Sequence, residues 1–574
     1  MTKIAGGSGR ASLIRLTVAR LLLICAFIAI TNFGFWQRIG LLTDAGRINT
    51  LLPFLLIWAI AFVAVVAAAF QPKLWIRAAW GAVIAASTAV AWGYYRASQS
   101  ELNVFDILSL WNARHEAGRA AEFYGTHLLF AAIVLAAGFL VIVVPAAPLR
   151  ASVRTWISRM ALLPLLPIFL IGGVVYAKGG GGSQSLPVQF VPVALTSLAG
   201  AKIALQGAPA RRQVEWQPVK TPPTQNIVIL IDESIRADYL DLTPGNPHTP
   251  RLAALANRFV NFGPAVSGGN CSNYSNALLR FGAARRDVAG TVNTNPTLWQ
   301  YAKKAGYRTV FIDAQAGGIT NPGLMQNFMT MSEKADIDSF QAIRDVASNQ
   351  ADFRLAEIIA EELKAQGPVF IYANKNGAHF PYDHSYPASA ALYHPTMSEA
   401  GADTMKSRVP SYRNAIAWSV DRFMETLFES ADFSNTNLLY TSDHGQALGL
   451  GQLTHCTTDK PDPRTALVPL LIAPSSPALR AELEKGAEFL RGRASHFQIA
   501  PTVFQWMGYK HDDIATAYDE SLSTGTPHES AFTSGDVFGM FSNELNWNSV
   551  DTSADYMEPV SRQILPQAET DPQG

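Results

Sequence analysis

Two pairs of acidic and imidazole side chains stand where apolar runs end. In Asn226-Ile-Val-Ile-Leu-Ile-Asp-Glu-Ser-Ile-Arg-Ala-Asp-Tyr239 a mostly β-branched run, Ile227 to Ile231, leads directly into Asp232 and Glu233. In Asn437-Leu-Leu-Tyr-Thr-Ser-Asp-His-Gly445 a second apolar run ends in Asp443 and His444. A buried parallel strand reads as such a continuous run, and open α/β sheets gather their chemistry at the carboxyl ends of strands. Each pair alone has an ordinary reading: Asp232 as a helix cap, Asp-His-Gly as a turn. Taken together, Glu233, Asp443 and His444 form a carboxylate and imidazole set suited to zinc or another divalent cation, one or two ions, with Asp232 as a further candidate ligand.

Between the two runs lies Ser267-Gly-Gly-Asn-Cys-Ser-Asn-Tyr-Ser-Asn-Ala-Leu-Leu-Arg280. A Gly and Asn-rich turn opening into an apolar stretch places a hydroxyl, Ser272 or Ser275, at the start of a helix. There backbone N–H groups and the helix dipole favour a phosphate or sulfate. Serine becomes a competent nucleophile when its proton is removed or a metal lowers its pKa; otherwise it simply caps the helix. Two histidines join the set. His379 lies in Asn374-Lys-Asn-Gly-Ala-His-Phe-Pro-Tyr382, after the apolar run Val369 to Ala373, and His455 ends Gly449-Leu-Gly-Gln-Leu-Thr-His455. Both can hold a phosphate oxygen, bind a second cation or exchange protons.

The elements that position these residues alternate. Strands are expected over 227–231, 308–312, 369–373, 437–441 and 467–472, and helices over 249–258, 297–305, 351–365, 412–430 and 498–507. Strands separated by helical patterns predict a mostly parallel sheet covered on both faces, a three-layer α/β domain.

The first part of the chain is of another kind. Apolar residues make up 49% of the 574 residues, and 45 basic groups balance 45 acidic ones. That neutrality gives no sign of a nucleic-acid partner, which shows as a basic patch or stripe. Five apolar segments, about 16–36, 51–70, 75–95, 124–145 and 160–177, each approach the ~20 residues that cross a bilayer. One cleaved leader would not explain five. Residues 1–177 are therefore expected to be a polytopic membrane domain of about five helices, 178–224 a linker opened by Lys178-Gly-Gly-Gly-Gly-Ser-Gln-Ser185, and 225–574 the α/β domain. Basic residues precede the first segment (Lys3, Arg10, Arg15, Arg20), join the second to the third (Lys73, Arg77) and precede the fifth (Arg150, Arg154, Arg159). This bias predicts a cytoplasmic N-terminus and an extracytoplasmic α/β domain. The loop 96–122, with Ile107, Leu108, Leu110 and Trp111 among charges, reads as a connector anchored by its tryptophan, the alternative being an amphipathic helix at the outer membrane surface.

The order Asp-Glu-Ser-x-Arg-Ala-Asp, serine turn, His-Phe-Pro-Tyr, then Ser-Asp-His-Gly with a later histidine resembles the alkaline phosphatase and sulfatase superfamily. With the membrane spans, it resembles the phosphoethanolamine transferases of Gram-negative inner membranes. The resemblance implies a multi-pass inner-membrane protein with a periplasmic catalytic domain. It also implies transfer of phosphoethanolamine, or a similar phospho-head group, from a phospholipid donor to a glycolipid acceptor such as lipid A through a covalent intermediate. Carried over by motif, Glu233, Asp443 and His444 match zinc ligands. Ser275, four residues after Cys271, matches the nucleophile and contacts the metal, while His379 and His455 match histidines around the phosphate. Departures are a serine where the family has threonine, and Asp232 where it has glycine. Without a Cys/Ser-x-Pro-x-Arg motif, a formylglycine sulfatase is not expected; a phosphoglycerol transferase or an ester hydrolase on the same site is the alternative. Cys271 and Cys456 adjoin proposed site elements in a compartment that permits oxidation; a bridge between them is one hypothesis and two free thiols the other.

Overall fold

The structure is a computed structural model describing residues 5–44, 46–98, 101–112, 125–144, 150–206, 211–219, 225–315, 334–344, 346–450, 453–458, 460–525, 527–541 and 545–558. The chain divides into two compact units, one essentially residues 1–207 and the other 208–574.

The first unit is helical throughout. Ile48–Ala69, Leu74–Ser98 and Gly125–Val143 are long and apolar enough to cross a membrane. Arg15–Thr31 and Phe35–Asp44 make a fourth span if the pair, bent by 67°, counts as one. The expected fifth segment forms Leu165–Ala177, 13 residues, about 20 Å at 1.5 Å per residue and short of a bilayer. Val191–Gln206, inside the stretch read as linker, is another helix of this unit. The segment read as a connector forms the helix Val104–Asn112; its continuation lies outside the described residues. Arg20 is buried, donating from its guanidinium to Ala69 O (2.8 Å) and Ile142 O (2.7 Å) at the ends of two helices. These are the carbonyls a helix leaves unsatisfied and where its dipole favours a cation.

Among the described residues the second unit has eleven strands: β1 Asn226–Asp232, β2 Val260–Asn261, β3 Ala265–Val266, β4 Arg308–Asp313, β5 Ser339–Ala342, β6 Val369–Asn374, β7 Thr436–Ser442, β8 Leu467–Val468, β9 Leu470–Ala473, β10 Ala531–Ser534 and β11 Asn546–Ser549. Seven form the central sheet, in the order β2-β9-β7-β1-β6-β4-β5. The β7-β1-β6-β4-β5 part is parallel, and β9 and β2 close one edge antiparallel. The expected strand over 467–472 is split at Pro469, which cannot donate to a ladder. Leu467–Val468 pairs with β3, and Leu470–Ala473 with the main sheet. One sheet face buries Ile227, Ile229, Phe311, Tyr372 and Leu439 against Trp299 and Phe504 from flanking helices.

β1 is the axis of this unit. Its register pairs Asp232 with Ser442 on β7 and Ile231 with Asn374 on β6. Three strands therefore run out at one level, and the residues just beyond them, Glu233, Asp443 and Lys375, meet there.

Candidate metal centre and nucleophile

Glu233, Asp443 and His444 are fully buried, and one ligand atom from each lies within 4.8 Å of the others. The in-register ends of β1 and β7 bring them together, tied by Asp443 N donating to Asp232 O at 2.9 Å. His444 sits with Nδ1 2.7 Å from the Gly445 carbonyl. A carbonyl only accepts, so Nδ1 carries the proton and Nε2 presents its lone pair to the cluster. That Nε2 faces Glu233 Oε1 at 3.4 Å and Asp443 Oδ2 at 3.7 Å. A lone pair opposed to two carboxylates is a mutually repulsive set that a shared cation satisfies. Burial holds the Asp443 carboxyl above the usual carboxylate range and lowers His444 to about 4, so the imidazole is in the neutral form that binds metals. The donors thus fit a zinc ion.

Ser234 shapes the turn. It has φ of 63°, a left-handed conformation that costs a β-carbon-bearing residue about 1–3 kcal/mol and persists only where surroundings impose it. The surroundings are evident: Ser234 N donates to Asp443 Oδ1 (3.2 Å), its hydroxyl to Glu233 Oε1 (2.7 Å), and its carbonyl accepts from the Tyr412 hydroxyl (2.8 Å). Gln315, two residues beyond β4, donates to Glu233 Oε2 at 3.1 Å and to Lys375 O at 2.8 Å.

The serine turn opens the helix Ser272–Phe281, with Cys271 as its N-cap. Ser272 Oγ is 2.9 Å from His444 Nε2 and 3.3 and 3.4 Å from the Glu233 carboxylate oxygens. Ser275, the expected nucleophile, lies elsewhere: its hydroxyl donates to the Gly269 carbonyl at 2.8 Å. One helical turn separates the two, and the first residue of the helix is the one facing the cluster. Asn276 supplies an amide 3.4 Å from Asp443 Oδ2.

Asp232, the other expected ligand, is not part of the cluster. Its Oδ2 is bound by the Lys375 ammonium and accepts from the Tyr440 hydroxyl at 2.9 Å, while Oδ1 accepts from Glu233 N at 3.0 Å. Consecutive strand-end residues point to opposite sides, so Glu233 and Asp232 divide between two environments. Burial pushes the Asp232 carboxyl up, opposed by the charge of Lys375. Lys375 and Gln315 went unrecognised in the sequence, although a lysine directly after a fully buried strand was a signal that it must pair with acids inside.

His455 stacks on His444, ring centroids 4.4 Å apart. His379 is buried and close enough to lower the basicity of His444 electrostatically. Cys271 and Cys456 form a disulfide with Cα atoms 4.5 Å apart, so the bridge that the sequence left open exists and joins the helix Ser272–Phe281 to the His455 loop.

Residues 225–509 match the sulfatase family. Over 303 residues the chain is 22% identical to the Kdo(2)-lipid A phosphoethanolamine 7''-transferase of Salmonella typhimurium, covering 49% of this chain and 51% of that protein. The chain thus matches about half the length of that curated relative. Lipooligosaccharide phosphoethanolamine transferase A of Neisseria meningitidis, an integral membrane protein, superposes with a TM-score of 0.61 at 16% identity, over 85% of this chain and 95% of that one. The fold is therefore shared across both the helical and the α/β parts. The C-terminal periplasmic domain of EcEptC from Escherichia coli, in complex with Zn, matches at a TM-score of 0.45 and 17% identity, over 62% of this chain and 100% of that one.

Proposed function

Residues 225–509 match the sulfatase family, and from that similarity we propose that this chain is a membrane-bound, metal-dependent transferase of the bacterial inner membrane with its catalytic domain in the periplasm. It moves phosphoethanolamine from a phospholipid to a glycolipid such as lipid A. The observation that carries this reading is a single hydroxyl: Ser272 Oγ, at the N-terminus of a helix, lies 2.9–3.4 Å from His444 Nε2 and the Glu233 carboxylate.

Glu233, Asp443 and His444 would hold a zinc ion, which would lower the pKa of an adjacent serine hydroxyl and neutralise phosphate charge. Ser272 Oγ forms a bond to phosphorus as the bond from phosphorus to the glycerol oxygen breaks, leaving diacylglycerol and a phosphoserine diester. The N-terminal N–H groups of Ser272–Phe281 face the transferring phosphate, where the dipole favours negative charge. His379 and His455 relay protons: the proton lost by Ser272 Oγ ends on the departing glycerol oxygen, and the proton lost by the incoming acceptor hydroxyl, whose oxygen displaces Ser272, ends on Ser272 Oγ. Neither step needs an oxidant or reductant. Holding both lipids in one membrane layer raises their effective concentration at the site.

Labelled phosphatidylethanolamine and lipid A given to the purified full-length protein test the substrates. The expected products are diacylglycerol and lipid A carrying the label. Free phosphoethanolamine with unlabelled lipid A would instead establish a hydrolase.

A further inference from the structure

We infer that the helical unit carries a binding site of its own for the ammonium group of a phospholipid, formed by Glu101 and the rings of Phe33, Phe35 and Tyr95. The identity of that lipid rests on the reading above; the ammonium chemistry does not.

The site is built where the first helix breaks. Between Thr31 and Phe35 the chain turns by 67°, and the break, the last turns of Leu74–Ser98 and the loop after Leu165–Ala177 surround a small open pocket, of a size for a single ammonium group rather than a whole headgroup. Leu74–Ser98 starts beside Lys73 and Arg77 and ends here, so the pocket lies at the end of the bundle away from the basic loops. That is the extracytoplasmic headgroup layer.

Its walls are aromatic. Phe33 stacks on Tyr95 with centroids 4.0 Å apart, and Phe35 lies beside them in the lining. Glu101 supplies the carboxylate. It accepts from Ser185, through the backbone N–H and, at 3.2 Å, through the hydroxyl. No lysine or arginine pairs with it among the described residues. A carboxylate with no such partner among the described residues, in a lining of aromatic rings, suits an organic ammonium. A phosphate group or an uncharged sugar would face the like charge of Glu101 or gain nothing from the rings.

Gly34 keeps this geometry open, since a Cβ there would overlap Ser185 Oγ and Glu101 Oε1. The loop bearing Ser185 is tied down independently: Trp58 Nε1 donates to Ser185 O at 3.0 Å, and Val188 N to Asn32 Oδ1 at 3.0 Å. Glu101 is therefore not needed to fix that loop, and its charge is left for a ligand.

Native mass spectrometry of the full-length protein, equilibrated with equal amounts of phosphatidylethanolamine and phosphatidylglycerol of the same chains, tests the inference. The wild type should retain the ethanolamine lipid by about fivefold or more over the other. Glu101→Gln, which still accepts from Ser185, should remove the preference, as should Gly34→Ala. Equal retention in the wild type, or a preference surviving Glu101→Gln, would overturn the site. Excess free ethanolamine should leave the bound lipid in place; displacement by it would show a soluble amine site and overturn the lipid assignment. Ser272→Ala should keep the preference, so this result stands apart from whether Ser272 is the nucleophile.

Discussion

Two acidic neighbourhoods flank the end of β1, and they differ in one respect. On one side Glu233 and Asp443 face the lone pair of His444. On the other, Asp232 and Asp352 enclose the Lys375 ammonium, which binds Asp232 Oδ2, lies 3.7 Å from Asp352 Oδ2 and stands over the Phe423 ring at 4.1 Å. Both sets are buried to the same degree. Burying a charge is tolerable only when it is paired: on one side a lysine supplies the pairing, and on the other the proposed metal would. The Lys375 side ties together acids at the ends of strands, and the His444 side carries the residues for which the chemistry is proposed.

The contrast is broken most sharply by metal content. Glu233→Gln should leave the purified protein with almost no bound zinc, whereas Asp232→Asn should keep a full complement, as elemental analysis of the two proteins would read. Equal loss in both would mean that Asp232 is a ligand after all.

The lysine side should fail by unfolding instead. Lys375→Met leaves two buried carboxylates without their cation and should cost about 3–5 kcal/mol, seen in thermal unfolding of a protein that still binds zinc. Next comes the disulfide across 185 residues that ties the Ser272 helix to the His455 loop. Replacing Cys271 and Cys456 with serine should lower stability by about 2–4 kcal/mol and weaken transfer, while the metal stays bound.

The smallest effect belongs to a third strand end. Asp313, closing β4, is pushed by burial to about 6. Its folded pKa exceeds the unfolded value of about 4, so its contribution to stability is complete below pH 4 and fades as pH rises through 6. Asp313→Asn should flatten the stability profile across that window, by on the order of 2 kcal/mol, and leave the profile unchanged above pH 7.

How far these environments are legible in the sequence follows from their physics. Apolar β-branched runs ending in acids announce β1, β6 and β7, and parallel pairing then forces Glu233, Asp443 and His444 together. Which side a strand-end residue takes is set by the pleat, and the sequence alone left Asp232 among the ligands. Spacing from Cys271 favours Ser275 by resemblance, yet a helix that starts at Ser272 aims its first residue at the cluster and folds Ser275 back under the Gly269 carbonyl. Pro469 dividing one expected strand was a readable signal. The short Leu165–Ala177 helix was less so, because Met160 to Pro164 are apolar without being part of it.

The central claim is that Ser272 forms the covalent bond. Intact-mass measurement of the full-length protein after incubation with phosphatidylethanolamine, without an acceptor, tests it directly. A gain of one phosphoethanolamine is expected in the wild type and in Ser275→Ala, with none in Ser272→Ala. An adduct that persists in Ser272→Ala and disappears in Ser275→Ala would contradict the account.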